Sequence, residues 1–189
     1  MNFILIVGPP AVGKMTVGQA IQEKLGYRLF HNHHSIELAL QFFDYGDPEF
    51  GAINEGIRQL VFETVASSER LPGFIFTLVW GFDLQEDWDY VAALKERFTA
   101  RGWRFFIVEL FAPLDVRLDR NRTPNRLQHK PSKRDVERSE RSLHELGKHQ
   151  LNTDGKALTG PNYLRLDNAD LSPEVCAQRI IEAFDLLRD

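Results

Sequence analysis

The sequence has few of the features that mark secreted, membrane-embedded or nucleic-acid-binding proteins. It has one cysteine, Cys176, among 189 residues, which excludes an internal disulfide framework. No apolar run approaches the ~20 residues that cross a bilayer. The apolar stretch Phe3–Val7 has no basic segment before it and is too short for a secretory signal. A net charge of −4 gives no general affinity for nucleic acid. We therefore expect a soluble, cytoplasmic protein without membrane contact.

Positive charge is concentrated in one segment, residues 117–134. Seven basic residues accompany one acidic residue there, which gives a local charge of +6 and leaves −10 for the rest of the chain. A cationic segment on an acidic body favours one localised anionic ligand over a long polyanion. The basic residues are Arg117, Arg120, Arg122, Arg126, Lys130, Lys133 and Arg134.

Apolar runs alternate with amphipathic runs along the chain, which is typical of a parallel sheet with helices on both faces. The predicted strands are Phe3–Val7, Arg28–His31, Phe74–Trp80, Trp103–Phe111 and Tyr163–Leu166. Helices are predicted between them, one of them over about Lys133–Gln150 with Ser132 as its N-cap. Repeats, low-complexity tracts and linkers are absent, which indicates a single domain over residues 1–189 with an inserted basic arm at about residues 120–134.

The segment Gly8–Thr16, GPPAVGKMT, matches the pattern G-x-x-x-x-G-K through Gly8, Gly13 and Lys14. It directly follows a predicted strand and opens an amphipathic helix, as phosphate binding requires. The glycines let backbone N–H groups turn around a phosphate, and the helix N-terminus adds partial positive charge. Lys14 would bridge the terminal phosphates. The alternative is a glycine-rich turn with a surface lysine.

On this motif the chain resembles the P-loop kinases of the shikimate, gluconate and nucleoside monophosphate kinase group. Arg120–Arg122 and Arg126 resemble the start of their lid. The segment Leu166–Pro173, LDNADLSP, resembles the loop beside adenine in shikimate kinases. The resemblance implies an α/β three-layer sandwich, a five-stranded parallel sheet in the order 2-3-1-4-5, ATP with Mg²⁺, and a small hydroxyl-bearing acceptor. It implies that nucleotide is bound by Gly8, Pro9, Pro10, Ala11, Val12, Gly13, Lys14, Met15, Thr16, Arg120, Asp167 and Asn168.

Met15 is the first departure from the family pattern, in which this position supplies a Ser or Thr oxygen to magnesium. A thioether is a poor ligand for that hard cation. Thr16 does not replace it, because the Gly8–Gly13–Lys14 spacing is already correct, and Thr16 matches the next residue of the pattern. Either Mg²⁺ is held by phosphates, water and a carboxylate elsewhere, or its role is reduced. No metal-binding residue is assigned.

The second departure is Phe30–His34, FHNHH, where shikimate kinases place an aspartate pair. Strand alternation predicts His31 and His33 on one side of the sheet. A neutral imidazole could accept a hydroxyl proton or hydrogen-bond the acceptor. Two alternatives stay open: the histidines satisfy backbone groups of a loop, or they form a transition-metal site.

The third departure is Trp80-Gly81-Phe82-Asp83, after the third predicted strand. Ligands in parallel sheets bind beyond the carboxyl ends of the strands. Gly81 would allow a close approach, Trp80 would form a pocket wall, and Asp83 would bind a hydroxyl or a water on magnesium. The alternative is a core tryptophan and a helix-capping aspartate.

The sequence therefore predicts an ATP-dependent kinase that moves the γ-phosphate to a hydroxyl of a small molecule. Phosphoryl transfer depends on positioning and charge neutralisation, which the arm's arginines can supply. The predicted catalytic residues are Lys14, His33, Arg122 and Arg126, and the predicted acceptor-binding residues are His31, His33, Trp80, Gly81 and Asp83. The alternatives are a nucleotide-binding protein without transfer activity and a kinase acting on a nucleic-acid end.

Overall fold

A computed structural model of the chain describes residues 1–153, 155 and 157–187. Its strands are β1 (Asn2–Val7), β2 (Arg28–His31), β3 (Gly73–Thr77), β4 (Arg104–Phe111) and β5 (Tyr163–Asp167). All neighbouring strands pair in parallel, and their order is β2-β3-β1-β4-β5. The predicted parallel sheet and its strand order are therefore confirmed.

Helices connect the strands and cover both faces of the sheet. They are α1 (Lys14–Leu25), α2 (His33–Ala39), α3 (Pro48–Ala66), α4 (Gln85–Thr99), α5 (Leu114–Asn121), α6 (Pro124–His129), α7 (Val136–Leu146) and α8 (Pro173–Ala183). A 3₁₀ turn, Pro131–Lys133, lies between α6 and α7. In the part of the chain that the structure describes, none of the helices combines the length and apolarity that a bilayer crossing requires.

The central strand β1 explains why its sequence is continuously apolar. Every one of its residues is buried, because helices cover both faces of the sheet. Ile4 and Ile6 belong to the cluster formed with α1 and α8. Phe3 and Leu5 point to the opposite face, into an aromatic cluster with α3 and α4. Packing on both faces fixes the position of β1, and therefore also the position at which the following loop begins.

Several element boundaries differ from the sequence prediction, and three of the differences affect the site. β3 ends at Thr77, not Trp80. The second helix, α2, spans His33–Ala39, whereas the apolar spacing predicts it over Ile36–Phe43. The predicted helix cap at Ser132 is wrong: α7 begins at Val136, and the Asp135 carboxylate accepts a hydrogen bond of 3.0 Å from the Arg138 amide. Ser132 instead uses its hydroxyl in a contact with α2, described below.

Candidate active site

The loop Gly8–Thr16 has the backbone conformation that its glycines predict. Gly8 and Gly13 have φ of 133° and 108°, and Ala11 has φ of 61°. A Cβ on Gly8 would collide with the carbonyl oxygen of Leu110, so that position admits only glycine. Residues with positive φ, interspersed with residues of negative φ, curve the loop so that its N–H groups can face a common centre, and the first turn of α1 adds N–H groups without intrahelical partners. This geometry suits a phosphate group.

Lys14 is the first residue of α1 and lies back over the loop. Its side chain is buried, and Nζ donates to the carbonyl oxygens of Gly8 (2.5 Å) and Pro9 (2.8 Å). Burial lowers its pKa well below the ordinary value, and the nearby cations Lys130, Arg126 and Arg117 lower it further. The carbonyls satisfy its N–H groups, and an anion bound in the loop would favour the charged form of Lys14.

Two cations of the predicted arm are buried beside Lys14. Arg126 is 9% exposed and Lys130 is 8% exposed, which is unusual for these residue types. Burial lowers the pKa of Arg126 to about 10; burial, Arg126 and Lys133 lower that of Lys130 to about 7. Within the described residues, Lys14, Arg126 and Lys130 form no ion pair with a carboxylate. Buried basic side chains without an ion-pair partner are typical of an anion-binding site.

Two cavities of about 300 Å³ each open around these cations. The loop cavity is lined by residues 11–17, by Arg120, and by the segment after β5 that includes Asn168. The side cavity is lined by the start of α2 and the segment after β3, with an apolar wall made by Ile36, Val79, Leu84, Leu143 and Leu151. Ala11, Lys14, Arg126 and Lys130 line both cavities. The buried positive charge therefore lies where the two cavities meet.

Arg120 and Asn168 fasten the segment after β5 to the loop. Arg120 donates to the carbonyls of Val12 (3.0 Å), Asn168 (2.7 Å) and Ala169 (2.9 Å). The Asn168 amide also donates to Val12, at 2.8 Å, while its Oδ1 is buried with no hydrogen-bond partner among the described residues. An unpaired buried acceptor is costly and can be satisfied by a ligand donor. Asp167 is exposed and does not line the loop cavity.

His33 lines the side cavity and is held by a carboxylate that the sequence analysis missed. It is 7% exposed, and its Nδ1 lies 2.8 Å from Glu37 Oε1. Burial lowers the pKa of His33 to about 3, although the hydrogen bond that His33 donates to Glu37 acts to raise it. His33 is therefore neutral at pH 7. The spacing of four residues would have revealed the pair if the start of α2 had been predicted at His33.

Four of the predicted catalytic and acceptor-binding residues lie outside both cavities. His31 ends β2 and is buried against His34, with ring centroids 3.7 Å apart; β2 stops there, so strand alternation does not relate it to His33. Trp80 packs into the aromatic core against Phe82 and Trp88.

The other two are at the surface. Asp83 is exposed and accepts hydrogen bonds from His149 and the Gln150 amide. Arg122 is exposed and pairs with Glu140 at 2.8 Å. Of the residues predicted after β3, only Gly81 lines the side cavity, and its amide donates to Asp87 at 2.6 Å.

The residues of the loop cavity suit a nucleotide better than a protein-held magnesium ion. Met15 is buried and lines the cavity in the position where a hydroxyl was expected. No described carboxylate lines the loop cavity, and no cluster of three metal-ligating side chains occurs among the described residues. The donor set does not fit a magnesium ion held by side chains. Positive charge comes instead from Lys14, Arg126 and Lys130.

Comparisons with known proteins agree with this architecture. The sequence matches no family model and no curated protein sequence. Among solved structures, it is similar to a candidate kinase from Chloroflexus aurantiacus (TM-score 0.63, 17% identity, covering 97% of this chain and 96% of that one). It is similar to a gluconokinase from Sinorhizobium meliloti (TM-score 0.56, 16% identity, 98% and 93% covered). It is also similar to a shikimate kinase from Bacteroides thetaiotaomicron (TM-score 0.56, 18% identity, 97% and 98% covered). The chain therefore has the fold of the P-loop kinases.

Proposed function

We propose that this protein is an ATP-dependent phosphotransferase that moves the γ-phosphoryl group to a hydroxyl of a small molecule. The observation that carries the proposal is the junction of the two cavities. A phosphate-binding loop lines one of them, a neutral histidine lines the other, and three buried cations lie between. Phosphoryl transfer requires this arrangement: two substrates in contact, and positive charge at the point of transfer. Similarity in fold to a gluconokinase and a shikimate kinase supports the same activity.

In this proposal the loop cavity is the donor site. The amides of Gly8–Thr16 bind the phosphates of ATP, and the base lies near Asn168, whose buried Oδ1 can accept from an amino group. Lys14 exchanges its two carbonyl partners for phosphate oxygens. Arg120 keeps the segment after β5 against the loop and so maintains the width of the site. Magnesium, where it accompanies ATP, is held by phosphates and water, because no described carboxylate lines the cavity.

The side cavity is the acceptor site. Arg126 and Lys130 face the transferred group from the arm and neutralise the charge on its oxygens. His33 lies beside the acceptor hydroxyl, and Gly81 forms part of the wall. The apolar wall restricts the acceptor to a compound with an apolar side as well as a hydroxyl. The arm, at about residues 120–134, closes the site and excludes water.

A radiolabelled ATP assay against a panel of hydroxyl metabolites tests the proposal. We expect the wild-type protein to label at least one acceptor and Lys14→Ala to lose turnover while keeping its circular dichroism spectrum. The matched control is Lys24→Ala, since Lys24 is exposed at the far end of the same helix. Normal turnover by Lys14→Ala would place the reaction elsewhere. ATP binding without labelling of any acceptor would favour a nucleotide-binding protein without transfer activity.

A further inference from the structure

We propose that Glu37 is a positioning residue that fixes His33 as the proton acceptor for the acceptor hydroxyl, and that the arm docks on the same carboxylate through Ser132. This inference rests on the proposed function. It concerns two residues, Glu37 and Ser132, that lie 95 positions apart and were not among the predicted site residues.

Glu37 accepts three hydrogen bonds, one from α2 and two from the arm. Its Oε1 is 2.8 Å from His33 Nδ1 and 2.5 Å from Ser132 Oγ, and its Oε2 is 3.0 Å from the Ser132 amide. Burial acts to raise the pKa of Glu37, but the hydrogen bonds from His33 and Ser132 outweigh it and lower that pKa. Glu37 is therefore ionised and acts only as an acceptor.

An ionised Glu37 determines which nitrogen of His33 carries the proton. Since the carboxylate has no proton to donate, the hydrogen of the neutral ring must lie on Nδ1. Nε2 then has a free lone pair. No described residue hydrogen-bonds to Nε2, and the His33 side chain lines the side cavity. The lone pair is available to a hydroxyl bound there.

The chemical step that follows is balanced. The acceptor hydroxyl gives its proton to His33 Nε2 while its oxygen forms a bond to the γ-phosphorus. The bond from that phosphorus to the β–γ bridging oxygen breaks, and its electron pair leaves with ADP. The imidazolium that forms lies against the Glu37 carboxylate, which stabilises its charge, and it later releases the proton to water. A weakly basic group suffices, because kinases use an aspartate in the same role.

Ser132 connects this pair to the buried cations. It lies in the 3₁₀ turn Pro131–Lys133, two residues after Lys130. Both of its hydrogen bonds go to Glu37, so the contact that holds the arm on α2 also holds Lys130 at the junction. Orientation of the proton acceptor and placement of the arm's positive charge therefore depend on one carboxylate.

Nitrogen-15 NMR of the histidine rings tests the pair directly, with His33→Gln to assign the signal. We expect His33 to carry its proton on Nδ1 in the wild type and mostly on Nε2 in Glu37→Ala. Glu96→Ala, at an exposed position of α4, is the control and should leave the signal unchanged. Protonation of wild-type His33 on Nε2, or an unchanged signal in Glu37→Ala, would overturn the inference.

Steady-state hydrolysis of magnesium-ATP, with water as the acceptor, tests the catalytic consequence. We expect kcat to fall about 10-fold or more in Glu37→Ala and about 100-fold in His33→Gln, with the KM for ATP nearly unchanged. An unchanged kcat in Glu37→Ala, with wild-type turnover present, would refute the positioning role and leave the proposed function intact. A wild type that shows the expected ring protonation but transfers phosphate to neither water nor any metabolite would refute the proposed function and the catalytic role with it.

Discussion

Replacing Lys130 with methionine tests whether the arm holds a buried positive charge without an ion-pair partner. Lys130 is 8% exposed and forms no ion pair within the described residues. Burial, together with Arg126 and Lys133, lowers its pKa from 10.5 to about 7. Methionine has a similar length and no charge, so the substitution removes the desolvated ammonium while largely preserving the packing. If Lys130 serves to bind an anion, its buried charge should destabilise the protein when no anion is bound.

The sign and size of the expected change in the free energy of unfolding follow from the linkage between folding and proton binding. Folding lowers the pKa of Lys130, so the positive charge on Lys130 destabilises the folded state. This destabilisation is absent above about pH 10.5, grows as the pH falls, and is constant below about pH 7. At about 1.4 kcal/mol per unit of pKa difference, the upper limit of this destabilisation is about 5 kcal/mol. Relaxation of the protein and water penetration around the buried ammonium make the real destabilisation smaller than this limit. We expect Lys130→Met to raise the free energy of unfolding at pH 7 by about 2 kcal/mol, or Tm by about 4–8 °C.

Thermal unfolding followed by circular dichroism at pH 7 and pH 10 measures this difference. Lys95→Met, at an exposed position of α4, is the control and should change Tm little at either pH. The increase in Tm caused by Lys130→Met should nearly disappear at pH 10. Added ATP should stabilise the Lys130→Met variant less than the wild type. A variant less stable than wild type at pH 7, or one with the same gain at both pH values, would refute the reasoning.

Three further substitutions test the loop. Met15→Ser should lower the magnesium concentration needed for half-maximal turnover, with Met15→Leu unchanged; equal magnesium dependence of both would contradict our interpretation of Met15. Arg120→Ala should lower the free energy of unfolding by about 1–3 kcal/mol, whereas Arg122→Ala, an exposed ion pair, should have no measurable effect. Gly8→Ala should cost at least about 2 kcal/mol in denaturant titrations, whereas Gly51→Ala, with open space in α3, should stabilise by about 0.5–1 kcal/mol.

Much of the fold could be predicted because its determinants are local. The apolar run of β1 and the glycine spacing of Gly8–Thr16 are each set by residues that lie close together in the sequence. The predicted cap at Ser132 failed for the opposite reason. Ser132 has the side chain of a helix cap, but a tertiary contact with Glu37 takes its hydrogen bonds, and Asp135 caps the helix instead.

The site, like the fold, could be predicted from the sequence only where its determinants are local. The loop and the involvement of the arm follow from sequence spacing and charge. The sequence does not predict which of these cations are buried. Arg122 and Arg126 occur in the same basic run, and only the packing of the arm distinguishes them. Trp80 was predicted as a pocket wall because it was placed at the carboxyl end of the third strand, but β3 ends at Thr77 and Trp80 packs into the aromatic core.

Titration calorimetry of ATP into the wild-type protein and Lys14→Ala tests the central claim most directly: that the turn after β1 binds a polyphosphate. We predict one ATP per chain for the wild type, and for Lys14→Ala an affinity at least about tenfold weaker, the equivalent of about 1.4 kcal/mol. No binding by the wild type, or equal affinities for the two proteins, would contradict the account.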